Sequence, residues 1–410
     1  MAVGPDFLPE FPAIAGIRIG VVEAGIKKAN RKDLVLIELA SGGVCSGVFT
    51  QNAFCAAPVT LSKKHLAGSS YAKNSVAYLL INTGNANAGT GPAGMRDALE
   101  TCQVVADECG VSADQILPFS TGVIGEKLPV EKITRAVPSL YSSLMANAWS
   151  DAAKGIMTTD TRPKGSSRQV AYAGHIITIN GISKGAGMIR PNMATMLCFI
   201  GTDAKLPLAL SKELVRELAD KSFNRVTIDG DTSTNDACML LASGQSAAPE
   251  IDPQHSDYPQ FKAALSEVFV ELAQAIVRDG EGATKFVTVE VKSADTTEEA
   301  LEVAYTIAHS PLIKTALFAS DPNWGRILAA LGRSKIENLE LDKVNIYLGD
   351  VCIVEAGGKC DSYTEEQGQR VMNQEEITIS VCLNRGDITE TVWTCDFSHD
   401  YVTINAEYRT

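Results

Sequence analysis

The residues best suited to chemistry lie between Lys184 and Ala204, where a glycine-rich stretch runs through Pro191 and Ala194 to Thr195 and an apolar run. If the chain were cut before Thr195, the new α-amine would have an ordinary pKa of about 7.7–8.0. Such an amine can accept the proton of the threonine's own hydroxyl and activate it as a nucleophile. The small side chain of Ala194 leaves the preceding carbonyl open to attack. On the residues alone, an ordinary loop that leads into a core strand is the favoured interpretation.

Three other motifs nearby favour structural roles. Residues 181–185 match the GxSxG pattern around Ser183, but GAGMIRPN follows, whereas a nucleophile elbow requires a helix there. The two glycines at 185–187 lack the third glycine of a dinucleotide-binding fingerprint. The acidic run 229–236 lacks the glycine and glutamate of a calcium loop, so it predicts a polar turn before a buried segment. If the serine were the nucleophile, Ser183→Ala and not Thr195→Ala would abolish activity.

Alternating strand and helix patterns predict how these residues are positioned. Strands are predicted at 16–22, 33–40, 75–82, 168–180, 195–202, 285–292, 340–348, 375–384 and 387–395. Helices are predicted at 92–109, 207–222, 258–278 and 323–332. Valines alternate with polar residues over 285–292, and Gly110 is placed to end the helix at 92–109. This order predicts an α/β or α+β fold with layered sheets. Residues 248–260 are a loop or boundary candidate, and a second boundary is predicted near 285.

Composition narrows the function further. The 410 residues are 45% hydrophobic and 21% charged, which is typical of a globular chain. A net charge of −13 argues against nucleic acid or anionic membranes as partners. No apolar run reaches the about 18–20 residues of a membrane span, and no secretory signal is evident. Ten scattered cysteines without a CxxC pair predict reduced thiols in the cytoplasm, and five histidines without a ligand pattern predict no metal site.

The stretch KGAGMIRPNMATML, residues 184–197, resembles the cut site of the self-cleaving ornithine acetyltransferases of arginine biosynthesis. The resemblance extends over nearly the whole chain and rests on motifs that occur in order. These are AGIK (24–27), KDLVLIE (32–38), VFTQNAFCAAPV (48–59), INTGNANAGTG (81–91), FSTGVIGE (119–126), IMTTDT (156–161), VTIDGDTSTND (226–236), RDGEGATK (278–285), DPNWGRI (321–327) and VTINAEYRT (402–410). Each motif is modest alone, but together they make the resemblance specific.

The resemblance implies a fold and a reaction. We expect a four-layer αββα sandwich, shared with certain aminopeptidases, over residues 1–285 and a smaller C-terminal α+β domain over 286–410. Cleavage between Ala194 and Thr195 would give an α chain, 1–194, and a β chain, 195–410. The implied enzyme is a glutamate N-acetyltransferase that moves acetyl from N²-acetyl-L-ornithine to L-glutamate by a ping-pong mechanism. Some members also use acetyl-CoA.

The same resemblance assigns roles to individual residues. Thr195 would be the nucleophile, and the Thr121 hydroxyl and Gly122 N–H would stabilise the tetrahedral intermediate. Lys184 would pair with a substrate carboxylate and Glu281 with an ammonium group. The implied substrate-binding residues are Thr158 (preferred over Thr159), Lys184, Thr195, Glu281, Asn405 and Thr410. The last two imply an ordered C-terminus that packs into the site.

The resemblance also implies the partners. We expect no metal, nucleotide or haem cofactor, with acetyl-CoA a co-substrate if the enzyme is bifunctional, and an assembly of two α and two β chains. Two alternatives remain open. A hydrolase on the same fold, an aminopeptidase or amidase, would release its product without glutamate. A non-enzymatic amino-acid-binding protein would remain one chain and form no acyl-enzyme.

Overall fold

The computed structural model describes the chain in four ranges: residues 2–6, 8–68, 76–190 and 196–407. Within these ranges the chain forms three β-sheets and eleven α-helices, which confirms the predicted α/β class. The strands are β1 (Ile17–Val22), β2 (Leu34–Leu39), β3 (Val44–Phe49), β4 (Tyr78–Asn85), β5 (Ile116–Val123), β6 (Lys164–Tyr172), β7 (His175–Lys184), β8 (Leu197–Thr202), β9 (Ala237–Ala242), β10 (Phe286–Ala294), β11 (Asn345–Leu348), β12 (Val351–Glu355), β13 (Gly358–Lys359), β14 (Glu376–Cys382) and β15 (Ile388–Cys395). The helices are α1 (Ala57–Gly68), α2 (Gly91–Cys109), α3 (Val130–Ser142), α4 (Trp149–Gly155), α5 (Leu208–Asp220), α6 (Tyr258–Arg278), α7 (Thr297–Ala308), α8 (Pro311–Phe318), α9 (Trp324–Gly332), α10 (Glu365–Met372) and α11 (His399–Ala406).

Two of the sheets form the centre of a four-layer sandwich. Sheet A has the order β1-β2-β4-β5, and sheet B has the order β3-β9-β8-β7-β6. Their inner faces share one apolar core, in which Ile37 and Phe119 of sheet A meet Phe199 and Met239 of sheet B. The rings of Phe119 and Phe199 contact edge to face, with centroids 5.1 Å apart. Helices α1–α3 cover the outer face of sheet A, and α5 and α6 cover the outer face of sheet B. The layers are therefore αββα, as predicted.

The predicted strand over 168–180 is wrong in one respect, because the chain reverses in the middle of it. Ala173 and Gly174 both have positive φ angles, 49° and 80°. Positive φ at both central positions is typical of the type I′ turn, a two-residue hairpin connection whose twist matches that of the flanking strands. The segment is therefore an antiparallel hairpin of β6 and β7, and Lys184 is the last residue of β7.

The third sheet and its helices follow the sandwich in the sequence. Sheet C has the order β13-β12-β11-β14-β10-β15 and shares an apolar core with helices α7–α10. Val287, Val289 and Val291 of β10 are buried, in the alternating pattern predicted from the sequence. The stretch 248–260 leads from sheet B into α6, which packs back on β6 and β7, so it is a loop within the sandwich rather than a boundary. Across the described ranges, every helix is too short or too polar to cross a bilayer.

Candidate active site

A pocket of about 110 Å³ lies beside the carboxyl ends of β5 and β7. The predicted site residues that line it are Thr121, Gly122, Thr158, Lys184, Glu281 and Asn405. Thr159 lines the same pocket, so the choice between Thr158 and Thr159 stays open. Ala194, Thr195 and Thr410 lie outside the described residues. Met196, which directly follows Thr195 in the sequence, lines the pocket.

Gly122 sits where the backbones of β4 and β5 come closest. Its backbone φ angle is 137°, a value that residues with a side chain rarely adopt. A Cβ atom at this position would lie 2.3 Å from the carbonyl carbon of Gly84 and 2.5 Å from the backbone nitrogen of Asn85. Since both neighbours are backbone atoms, no larger residue fits without moving a strand. The glycine therefore keeps the main chain exposed to the pocket next to Thr121.

Lys184 ends β7 and reaches across to the other sheet. Its Nζ donates a hydrogen bond of 3.0 Å to Thr121 Oγ1. An ammonium group can only donate, so the threonine oxygen must accept, and its single hydroxyl hydrogen remains for another acceptor. Burial is the largest influence and holds the pKa of Lys184 below its usual value, aided by the charge of Lys164 and opposed by those of Asp160, Asp236 and Glu281. A protonated Lys184 thus turns the Thr121 hydroxyl into a donor for whatever occupies the pocket.

The other wall of the pocket carries a carboxylate. Glu281 is only 6% exposed, and its Oε2 accepts a 2.9 Å hydrogen bond from Asn405 Nδ2 on α11. Gly187 packs against this carboxylate, since a Cβ there would lie 2.3 Å from Oε2. The C-terminal helix therefore reaches the site through Asn405. A pocket with a cation at Lys184 and an anion at Glu281 complements the two charges of a zwitterionic amino acid.

Asp236 is a pocket residue that the sequence reasoning missed. It directly precedes β9, is 2% exposed, and one of its carboxylate oxygens has no hydrogen-bond partner in the described part of the chain. Burial raises its pKa well above the usual value, although Lys184, the Ser233 hydroxyl and the Met196 N–H each lower it. The predicted polar turn at 229–236 is thus a loop, but its last residue faces the site. The available signal was an aspartate placed directly before a fully apolar strand.

Two further residues of this loop hold the site together. Asn235 Nδ2 donates to the carbonyls of Ala86 (2.6 Å) and Ser120 (2.9 Å), so the loop is tied to β5 and to the residue that follows β4. Asp229 accepts hydrogen bonds from the backbone N–H groups of Met188 (2.5 Å) and Ile189 (2.8 Å). These bonds fix the loop against the glycine-rich segment that follows Lys184.

The GxSxG interpretation is wrong. Ser183 lies inside β7, is fully buried, and donates its hydroxyl to the carbonyl of Leu272 at 3.3 Å. Bends, and no helix, follow β7 as far as Arg190, so the strand–turn–helix geometry of a nucleophile elbow is missing in this part of the chain.

Comparison with known proteins identifies the family of this chain. Residues 18–410 match the model of the ArgJ family. The chain belongs to the ArgJ family. It is 58% identical to the arginine biosynthesis bifunctional protein ArgJ of Pseudomonas fluorescens (strain Pf0-1), over the full length of both chains. It is 53% identical to the protein of the same name from Methylococcus capsulatus, over 97% of this chain and 96% of the relative.

A solved structure matches as well. The crystal structure of the arginine biosynthesis bifunctional protein argJ from Bacillus halodurans has a TM-score of 0.50 and 38% identity to this ArgJ-family chain. The match covers 52% of this chain and 99% of the crystallised one. The resemblance to acetyltransferases of arginine biosynthesis is therefore confirmed, and this enzyme class is favoured over the hydrolase and the amino-acid-binding protein.

Proposed function

We propose that this chain cuts itself between Ala194 and Thr195 and then transfers acetyl from N²-acetyl-L-ornithine to L-glutamate through an ester on Thr195. The observation that carries the proposal is the 3.0 Å hydrogen bond from Lys184 Nζ to Thr121 Oγ1, beside Gly122. It makes Thr121 a donor in a pocket that is also lined by Met196, the residue after Thr195. An acyl transfer needs such donors because negative charge develops on the carbonyl oxygen.

The reaction consists of two matched half-reactions. The Thr195 hydroxyl gives its proton to the α-amine and attacks the acetyl carbonyl of acetylornithine. The oxygen that becomes negative accepts from the Thr121 hydroxyl and the Gly122 N–H, and each such donor contributes roughly 2.7–4 kcal/mol. The C–N bond then breaks, and ornithine leaves with the proton held by the α-amine. In the second half, the neutral α-amine of glutamate attacks the ester and restores the Thr195 hydroxyl.

Substrate recognition follows from the charges in the pocket. Lys184 pairs with the α-carboxylate that both substrates carry, and Glu281 pairs with an ammonium group. Asn405 donates to Glu281 and keeps its carboxylate oriented. Thr158 and Thr410 complete the proposed substrate contacts. The partly enclosed pocket limits water, which would otherwise hydrolyse the ester.

The length of the crystallised Bacillus halodurans chain supports the cut. Nearly all of that chain, 99%, aligns with only 52% of this one. A β chain of residues 195–410 would make up 216 of 410 residues, or about 53%. A processed β chain therefore has the length that the match requires.

The mass of the denatured protein tests the cut. The wild type should give two pieces of about 20.6 and 23.0 kDa, with the larger beginning at Thr195. The Thr195→Ala variant should remain one chain of 43.6 kDa. Thr195→Ser is the matched control, because it keeps a hydroxyl and should still cut. A folded wild type that stays uncut would contradict the proposal.

The acetyl intermediate separates the proposal from a hydrolase. With acetylornithine alone, the larger piece should gain the mass of one acetyl group. Adding glutamate should remove that mass and produce N-acetylglutamate. Steady release of acetate without glutamate would favour the aminopeptidase or amidase instead.

The name of the relatives supports a second acetyl donor besides acetylornithine. They are called bifunctional proteins, so we infer a second activity, the acetylation of glutamate by acetyl-CoA with no other cofactor. Glutamate-dependent release of free CoA thiol would test it, with the Thr195→Ala variant as the blank.

The resemblance also leads us to propose an assembly of two α and two β chains in the cytoplasm. All ten cysteines lie in the described ranges as unpaired thiols, which fits a reducing compartment. Light scattering of the processed protein would measure the assembly.

A further inference from the structure

A buried charge cluster lies directly behind the pocket. Lys164 Nζ contacts Asp160 Oδ1 and Asp279 Oδ2, each at 2.5 Å. The exposed fractions are 8% for Asp160, 2% for Lys164 and 1% for Asp279. A lysine thus lies between two carboxylates inside the protein. Burying such a cluster costs desolvation free energy unless every member is hydrogen-bonded. Its position next to the site therefore suggests a role in the site.

The two carboxylates of the cluster have different partners. Asp160 Oδ1 also accepts from the Gly185 N–H at 2.7 Å, and Asp160 Oδ2 accepts from the Thr158 N–H at 2.9 Å. Asp279 accepts from the backbone N–H and the hydroxyl of Thr161, which do not line the pocket. Of these two carboxylates, Asp160 is the one that bonds to Thr158 and to Gly185, the residue after Lys184.

We infer that Asp160 is a positioning residue for acetyl transfer, which fixes Thr158 and the Lys184–Gly185 backbone in one wall of the pocket. The inference rests on the proposed function. Asp160 itself touches no substrate in this scheme. It acts through Lys184, whose Nζ sets the direction of the Thr121 hydroxyl.

The charges around Asp160 support this role. Burial alone would raise the pKa of Asp160, but Lys164, Lys184 and the Gly185 N–H outweigh it and hold the pKa below its usual range. Asp160 is therefore ionised at neutral pH, and its charge raises the pKa of the buried Lys184. The other groups that act on Lys184 are Asp236 and Glu281, which raise its pKa, and Lys164, which lowers it.

The test is the pH dependence of kcat and KM for acetyl transfer from acetylornithine to glutamate. Asp160→Asn keeps the shape but removes the charge, so Lys184 should lose its proton at lower pH. The alkaline limb of the kcat profile should move to lower pH, and kcat/KM should fall by up to about 100-fold because Thr158 is displaced. Asp279→Asn is the matched control, since it breaks an equally buried bond to Lys164. Its alkaline limb should stay at the wild-type position.

A charge-retaining variant covers the case in which Asp160→Asn does not fold. Asp160→Glu keeps the negative charge but moves it, so the alkaline limb should match the wild type while KM rises. Equal losses in Asp160→Asn and Asp279→Asn with unmoved limbs would overturn the inference, as would a wild-type KM in Asp160→Glu. Absence of acetyl transfer by the wild type would reject the proposed function, and this role for Asp160 with it.

Discussion

Replacing Gly187 by alanine should disturb the proposed contact of Glu281 with the substrate without removing a polar group. The added Cβ would lie 2.3 Å from Glu281 Oε2 and 2.5 Å from its Cδ. Ordinary contacts begin about 1 Å further out, so the buried carboxylate must retreat by roughly that distance. The 2.9 Å hydrogen bond from Asn405 would then break. A hydrogen bond to a charged group contributes about 1.5–3 kcal/mol, so we expect kcat/KM for acetylornithine to fall roughly 10- to 100-fold.

The assay is steady-state acetyl transfer at varied acetylornithine, beside the intact mass of the same sample. Self-cleavage should be complete, because the proposed cleavage does not involve Glu281. Gly332→Ala is the matched control, since a Cβ there meets nothing within 4 Å. A Gly187→Ala protein that cuts and folds but keeps the wild-type KM would refute the idea that Glu281 contacts the substrate.

Three further predictions follow from described contacts. Thr121→Val should lower kcat by about 100- to 1,000-fold while Thr121→Ser retains most activity, and equal losses in both would refute a hydroxyl donor. Phe199→Ala should lower the free energy of unfolding by about 3–5 kcal/mol in a denaturant titration, because its ring fills the core between sheets A and B. Burial, aided by neighbouring cations, lowers the pKa of His309 to about 4 from 6.5. The unfolded chain therefore binds this proton more readily, and wild-type stability should fall as pH drops from about 6.5 to 4. His309→Gln should reduce that fall, and identical pH profiles would contradict this.

Local pattern predicted much of the fold, because helices and strands bury one face at a fixed spacing. The helix predicted over 92–109 is observed as α2, Gly91–Cys109, and Gly110 ends it in the left-handed region with φ of 70°. The hairpin between β6 and β7 was missed because its turn contains Ala173, a residue that rarely takes positive φ. Only the glycine that follows it signalled the turn.

The site was harder to predict because its contacts join distant parts of the chain. Lys184 and Thr121 are 63 residues apart, and no spacing rule brings them together. The family resemblance nominated both residues, but it did not reveal how one orients the other. Asp160 and Asp236 were not singled out, since isolated aspartates are usually solvated and their burial depends on the packing of sheet B.

The strand order of sheet B determines what a cut before Thr195 does to the molecule. Strands β3, β6 and β7 precede the cut, whereas β8 and β9 follow it. Six residue pairs join β7 to β8, and six more join β3 to β9. The two chains produced by the cut would therefore both contribute strands to the same sheet. They would behave as a split protein whose halves complement each other, and separation would require unfolding both. The halves could therefore reassemble only by folding together, in a concentration-dependent way that the uncut precursor avoids.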